Sequence, residues 1–276
     1  MITPFPIALL TINQNLMKRS IFILSLCVFI LFNPAGCNPL GDSEQDRQVM
    51  INFTAGPLSG TLLKSAATTE EDLITKIILF GVDDQKVVQT FLLNPSSSGT
   101  PLTISRKVKS LYAIANPSDS IQSATPSTLA DLMSLTDDFT TAPVSPFLMS
   151  GKEEIPIASA SVNIKLVRAI AKIEIKVIDN DFVFESLTVQ NTPDKGYVFS
   201  SNPLSIPTHK KVFYLPSTEK ILYVPENSSQ NPTTEFVVTG KFQGQQITHT
   251  FTLKKEKVGI NIERNNCYQV DIGFDN

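Results

Sequence analysis

The chain has 276 residues, of which 42% are hydrophobic, with 18 prolines, no tryptophan and a formal net charge of −3 at pH 7. This mildly acidic balance argues against a nucleic-acid partner, which would need a basic face. Thr, Val, Ile, Phe and Ser are abundant and few stretches have a helical period, so we expect a mostly β fold.

The chain opens with an export signal. A basic pair follows Met17 and precedes the apolar run Ile21–Phe32, which is shorter than the roughly 20 residues of a membrane-spanning helix. We expect residues 1–36 to be removed as a signal peptide, with 1–16 an upstream extension if Met17 is the true start. The remainder carries 21 basic and 26 acidic residues, a net charge of −5.

Cys37 stands where this leader ends, directly after the small residues Ala35 and Gly36. Such a site resembles the bacterial lipobox, although Pro34 stands where a lipobox usually has leucine. We expect lipidation of Cys37, and ordinary cleavage that leaves a thiol is the alternative. Residues 37–47 then form a lipidated tether. Its acidic residues resemble a surface-export signal, with a plain spacer as the alternative.

Alternating apolar residues predict the first strands. Val49, Ile51 and Phe53 form the opening strand of the mature chain. Two apolar runs, Ile74–Val82 and Val87–Leu93, flank a polar turn and predict a hairpin.

A helix and a second hairpin follow. Ser127 is the expected cap of one short helix in which apolar residues recur at helical spacing over 129–135. Phe236–Phe242 and Ile247–Leu253 flank a polar turn with glycine and predict another pair of antiparallel strands.

The stretch 161–179 predicts the domain boundary. The apolar residues Val162, Ile164 and Leu166 stand at even-numbered positions and face one way. After Arg168 the apolar residues stand at odd-numbered positions instead. A shift of one residue turns side chains to the opposite face. We therefore expect one β ribbon to leave a first sandwich, residues 48–167, and enter a second, residues 168–276, each of a usual domain size.

Four segments in order resemble the fimbrillins, the type V pilins of Bacteroidales: 147–151, 166–175, 223–227 and 262–268. The resemblance covers the whole mature chain. It implies an all-β fold of two tandem transthyretin-like β-sandwich domains, with the short helix in the first. The motif residues for which it implies a structural role are Arg168, Lys172, Glu226, Asn227, Arg264, Asn265 and Tyr268.

The resemblance also implies a route of assembly. In this family the precursor reaches the outer membrane as a lipoprotein, and a trypsin-like protease releases the first strand so that a strand of another pilin subunit replaces it. Val49, Ile51 and Phe53 fit the removable strand, and Lys64-Ser65 in the following loop fits the cut, although Lys64 stands where arginine is expected. Lys64 as a solvated loop lysine is the alternative, and a cut at Arg47 would leave the strand attached.

The chain stops at Asn276, soon after the last expected strand, and we therefore expect it to have no spare strand to donate. We therefore expect a tip or accessory subunit of a fimbria. The alternative is an uncleaved, surface-exposed lipoprotein of the cell outer membrane that acts as a pilus anchor or binds a glycan or host protein.

No enzymatic motif or cofactor-binding motif is present in the sequence, so we expect neither catalysis nor a cofactor. Glycan binding would call for exposed aromatic residues, but the chain has no tryptophan and only five tyrosines, which favours a role in assembly. Cys267 is expected to be a small buried hydrophobe and His249 an ordinary strand residue. A loop-bound calcium ion remains open at the acidic clusters 83–84, 137–138, 153–154 and 179–181, which are expected at turns.

Overall fold

The computed structural model describes residues 46–59, 68–96, 98–199, 221–227, 233–252 and 261–273, and the backbone alone of 211–216, 254–255 and 258–259. Within these residues the fold is all-β, as predicted, with two short helices where one was expected.

The elements of the N-terminal half are β1 (Arg47–Ala55), β2 (Ile77–Asp83), β3 (Lys86–Leu93), β4 (Thr100–Ile104), β5 (Ser110–Ala115), α1 (Asp119–Gln122), α2 (Leu129–Met133), β6 (Thr136–Asp138), β7 (Met149–Glu154) and β8 (Ser161–Arg168). Those that follow are β9 (Ile170–Val177), β10 (Phe182–Thr192), β11 (Lys195–Tyr197), β12 (Lys211–Pro216), β13 (Ile221–Pro225), β14 (Glu235–Phe242), β15 (Gln245–Phe251), β16 (Lys254–Lys255), β17 (Val258–Gly259) and β18 (Cys267–Ile272).

The N-terminal half contains one sheet of order β3-β2-β5-β7-β8-β1-β4. This sheet has two parts, β3-β2-β5-β7 and β8-β1-β4. In the described residues the two parts are joined by the pairing of β7 with β8, at Met149 with Arg168 and Ser150 with Val167. Both parts contribute to one core, as in a sandwich. This N-terminal core consists of Val49, Ile51, Ile77, Leu79, Ile104, Val108, Leu111, Ala113, Ala115, Met149, Ile155, Val162, Ile164 and Leu166.

The C-terminal half contains a sheet of order β12-β10-β14-β15 and a second of order β13-β9-β18. Strand β18 runs parallel to β9, and β13 runs antiparallel to it. The C-terminal core lies among them and includes Ala171, Ile173, Ile175, Phe184, Leu187, Val224, Phe236, Val238, Val270 and Ile272.

A third group of buried residues, the middle cluster, lies on the other face of β2 and β5. Both strands are therefore buried on both faces, which explains why they are nearly continuous apolar runs rather than alternating ones. The middle cluster takes residues from both halves: Ile78, Phe80, Val82, Tyr112, Ile114, Ile121, Leu132, Phe139, Phe147, Leu148, Ala169, Ile170, Val198 and Phe199.

The predicted ribbon is present as β8 and β9, separated by a bend at Ala169 whose N–H donates to the carbonyl of Leu148 at 2.9 Å. Apolar residues of β8 enter the N-terminal core and those of β9 enter the C-terminal core. The division into domains at 167/168 stays a prediction, and the middle cluster packs across it.

Local details differ from the sequence expectations. The helix α2 is capped by Thr128 and not by Ser127, because the Thr128 hydroxyl and the Asp131 carboxylate form a reciprocal capping box. The one-turn helix α1 was not predicted, since it presents a single buried residue, Ile121. The first hairpin strand begins at Ile77 and not at Ile74.

Candidate functional site

Strand β1, which contains Val49, Ile51 and Phe53, lies inside its sheet and not at the edge. It pairs in parallel with β8 from Met50 to Ala55 and antiparallel with β4 from Arg47 to Ile51. Val49 is 1% exposed and Ile51 is fully buried, while Phe53 is half-buried against the same core. In the described sheet β1 therefore lies in a slot between β8 and β4, and β4 forms the edge.

The beginning of β1 is fixed by the guanidinium of Arg47. One terminal nitrogen donates to the carbonyl of Pro156 at 2.6 Å, and the other donates to the carbonyls of Val108 and Ile155 at 3.3 Å. Arg47 is thus part of the folded strand, one residue before the expected start of the sandwich.

The end of β1 contacts the end of β8 and one residue of the C-terminal half, Asn265. The N–H of Gly56 donates to the carbonyl of Leu166 at 2.7 Å, which extends the pairing with β8. Arg168 Nη1 donates to the carbonyl of Gly56 at 2.8 Å, and Asn265 Nδ2 donates to the carbonyl of Pro57 at 2.7 Å. Both motif residues therefore hold the main chain that follows the strand.

Ser59 continues this contact along the start of β18. Its N–H donates to the carbonyl of Asn265 at 2.8 Å, and its carbonyl accepts from the N–H of Cys267 at 2.7 Å. The segment after β1 thus passes from one half of the protein to the other.

Arg168 is fully buried with its charge paired. Its Nη2 forms an ion pair with Asp72, its Nε donates to the carbonyl of Glu71 at 2.9 Å, and its Nη1 donates to Asn265 Oδ1 at 2.7 Å. A buried cation is tolerated when its donors are satisfied in this way.

Lys172 lies beside Arg168 on the next strand and is also buried. Its Nζ is 3.0 Å from Glu71 Oε1 and 2.9 Å from Glu174 Oε1. Burial lowers the pKa of Lys172, but hydrogen bonds to Glu174 and Glu71 outweigh burial, so the pKa is raised.

The buried carboxylate of Glu71 accepts from the Tyr223 hydroxyl, from the N–H of Thr68 at 2.7 Å and from Lys172. Burial raises the pKa of Glu71, but these three hydrogen bonds outweigh it and the pKa is lowered. Burial, and then the hydrogen bond to Glu71, raise the pKa of the Tyr223 hydroxyl. Arg168, Lys172, Glu71, Asp72 and Tyr223 form one network, called the junction below, in which the carboxylate of Glu71 is ionised, Lys172 is an ammonium group and the phenol of Tyr223 is neutral.

Arg264 and Glu226 form a second motif pair, with Nε 2.6 Å from the carboxylate oxygen Oε2. The two terminal nitrogens of Arg264 donate to the carbonyls of Val198 at 2.9 Å and Tyr197 at 2.8 Å. Arg264 therefore fastens the loop before β18 to the end of β11.

Asn227 and Tyr268 hold the main chain of the C-terminal half. Asn227 exchanges main-chain hydrogen bonds with Ile262, and its Nδ2 donates to the carbonyl of Asn191 at 3.1 Å. The Tyr268 hydroxyl accepts from the N–H of Glu263 at 2.9 Å and donates to the carbonyl of Asn261 at 3.1 Å.

The structure thus brings Arg168 and Asn265 together at the end of β1, links Lys172 to Arg168 through their shared partner Glu71, and places the other motif residues elsewhere in the C-terminal half. Their partners Glu71 and Asp72 were missed by the sequence analysis, because an acidic run in a loop is typical of a solvated surface. Cys37, Lys64 and Ser65 lie outside the described residues.

Cys267 and His249, two other side chains considered in the sequence, have shifted pKa values. Burial raises the pKa of Cys267 to about 11, and burial lowers the pKa of His249. In the described part of the chain no three His, Cys, Asp or Glu side chains are placed to hold a metal ion. The acidic clusters 137–138 and 153–154 were wrongly expected at turns and lie in β6 and β7.

Among the described residues, none of the helices is both long enough and apolar enough to span a bilayer. Residues 1–36, which we expect to be a signal peptide, lie outside those residues.

No protein-family model and no curated protein matches this chain. Solved structures do. A candidate cell adhesion protein from Bacteroides eggerthii is 16% identical, with a TM-score of 0.60 over 82% of this chain and 85% of that one.

Two fimbrial proteins have similar structures. A fimbrial assembly protein from Parabacteroides distasonis is 16% identical, with a TM-score of 0.55 over 82% of this chain and 90% of that one. The tip fimbrial protein Mfa3 from Porphyromonas gingivalis, with a C-terminal truncation, is 13% identical, with a TM-score of 0.58 over 83% of this chain and 99% of that one. The chain therefore has the fold of Bacteroidales fimbrial and adhesion proteins, as its motifs predicted.

Proposed function

We propose that this protein is a structural or adhesive component of a cell-surface fimbria, in a tip or accessory position. It is assembled by strand exchange after proteolytic removal of β1. Other pilin subunits are its partners, and the lipid on Cys37 holds the precursor at the outer membrane. The fold shared with fimbrial proteins, one of them a tip protein, supports the proposal.

The observation that carries strand exchange is the interior position of β1. Loss of β1 would leave main-chain donors and acceptors unpaired along both β8 and β4, which is costly in a buried sheet. A strand from another subunit would restore both ladders if it ran parallel to β8.

The apolar side chains of β1 set a requirement on that strand. Burial of a residue such as Val49 or Ile51 stabilises the fold by about 1.5–3 kcal/mol each. A cut in the following loop therefore does not by itself empty the slot. The incoming strand must present apolar residues at the same alternate positions.

The test treats the intact precursor with a trypsin-like protease. We expect a fragment that begins at Ser65 by mass spectrometry and binds a synthetic strand peptide from a fimbrial stalk subunit. Lys64→Gln should remain uncut at this position and serves as the control. A precursor that resists cleavage, or a cleaved one that ignores the peptide, contradicts the proposal.

One observation favours the alternative, in which the uncut lipoprotein is a pilus anchor or binds a glycan or host protein. A cavity of about 430 Å³ between the two halves is lined by Tyr112, Lys152, Phe199 and Arg264, which are two aromatic rings and two cations already paired, Lys152 with Glu154 and Arg264 with Glu226. Binding of a glycan or a host-protein peptide that is lost in Lys152→Ala, with fibre assembly unchanged, would support this function instead.

A further inference from the structure

The geometry points to Arg168 and Asn265 as a clamp that binds the main chain just after the exchangeable strand. The clamp requires glycine at the first residue that it binds, which is Gly56 in this chain. This inference rests on the strand exchange proposed above. The glycine at the position of Gly56 is the sequence feature that selects the incoming strand.

The clamp recognises main-chain oxygens. Arg168 Nη1 donates to the carbonyl of Gly56 and Asn265 Nδ2 to that of Pro57, at 2.8 and 2.7 Å. The two side chains also bind each other at 2.7 Å, so each orients the other. A strand of different sequence can supply both oxygens, provided that its backbone comes equally close.

Space at residue 56 limits that approach. A Cβ added to Gly56 would lie 2.9 Å from Lys165 Cε and 3.0 Å from the carbonyl oxygen of Leu166. The lysine side chain can move, but the carbonyl belongs to β8 and already accepts the Gly56 N–H at 2.7 Å. Alanine would therefore require the main chain to shift by a few tenths of an ångström, which alters the geometry of its hydrogen bonds to Arg168 and Asn265.

An empty clamp is costly. Arg168 is fully buried and Asn265 is 6% exposed, so a strand that stops before residue 56 removes the acceptor of Asn265 Nδ2 and one of the two acceptors of Arg168 Nη1. The fitting partner is therefore a peptide strand with apolar residues at the positions of Val49, Ile51 and Phe53. It has a glycine at the position of Gly56 and continues for at least one further residue.

The experiment uses the whole mature chain with Cys37→Ser and a site-specific protease sequence in place of residues 61–67. Cleavage leaves the resident strand in its slot without relying on Lys64. The nicked protein is then mixed with a labelled peptide of residues 46–59, and mass spectrometry measures the replacement of the resident strand. Two unlabelled peptides compete with the labelled one, and they carry Gly56→Ala or Thr54→Val. The Thr54→Val peptide is the matched control, since Thr54 is exposed on the same strand.

We expect the Thr54→Val peptide to compete like the natural sequence and the Gly56→Ala peptide to compete at least about tenfold more weakly. Asn265→Asp in the protein keeps the acceptor for Arg168 but places a carboxylate oxygen against the Pro57 carbonyl. It should weaken the natural peptide to a similar degree and reduce the penalty for Gly56→Ala, because the two changes act on one contact.

Equal competition by the Gly56→Ala peptide, or no exchange of the natural peptide at all, would overturn the inference. Selective exchange here, with no cleavage at Lys64 in the natural precursor, would contradict only the proposed processing and leave the clamp in place.

Discussion

The Arg168 guanidinium donates to the Asn265 side-chain oxygen at 2.7 Å, although the two residues are 97 positions apart in the chain. Arg168 ends β8, and Asn265 lies in the loop before β18. The same two side chains hold the carbonyls of Gly56 and Pro57. This contact therefore ties three distant segments together at the end of β1.

Replacement of Arg168 by methionine should destabilise the protein by about 3–5 kcal/mol, because removing one member of a buried ionic network leaves its partners unpaired. Urea unfolding of the mature chain measures the change. Arg106→Met is the matched control, since Arg106 is exposed, and its effect should stay within about 0.5 kcal/mol. Equal midpoints for the two variants would mean that the network adds nothing to stability.

Acidification should weaken the junction through Glu71. The folded-state pKa of Glu71 is lowered below its ordinary 4.5, so its contribution is fully present above that value and is lost as the pH falls through the lowered pKa. We expect the free energy of unfolding to fall less steeply between neutral and acidic pH in Glu71→Gln than in the natural protein. Glu70→Gln, at an exposed neighbour, should follow the natural curve. Parallel curves for Glu71→Gln and the natural protein would contradict the assignment.

A disulfide between β1 and β8 should block strand exchange. Asn52 and Asn163 are register partners whose side chains are hydrogen-bonded at 2.8 Å, so the double variant Asn52→Cys/Asn163→Cys places two thiols side by side. The oxidised variant, nicked in the loop after β1, should refuse a strand peptide and should accept it after reduction. Asn52→Cys alone should accept the peptide under both conditions. Uptake by the oxidised double variant would contradict exchange at this slot.

Lipidation is tested by Cys37→Ala, which should abolish labelling by a fatty acid and release the precursor from the membrane fraction. Cys267→Ala is the control and should keep the label, because Cys267 is half-buried in β18. Label that persists in Cys37→Ala would contradict an acylated N-terminus.

Much of the β architecture follows from local sequence. Strict alternation predicts strands that are buried on one face, such as β1 and β14, and polar turns with glycine or aspartate predict the hairpins. The parity reversal at Arg168 predicts that β8 and β9 contribute to different cores, which they do.

The order of strands and the partners of buried charges depend on contacts through space. Nothing in residues 47–55 distinguishes an interior strand from an edge strand, since both alternate alike. Glu71 and Asp72 read as a solvated acidic loop until the fold places them on Lys172 and Arg168. The motif residues were identifiable, but their partners were not.

Peptide mapping of this protein in isolated surface fibres tests the central claim most directly. If β1 is exchanged during assembly, the fibre-bound chain begins at Ser65 and lacks all peptides from residues 46–64, while the membrane-bound precursor retains them. A fibre-bound chain that still contains Val49 to Phe53 would contradict the account.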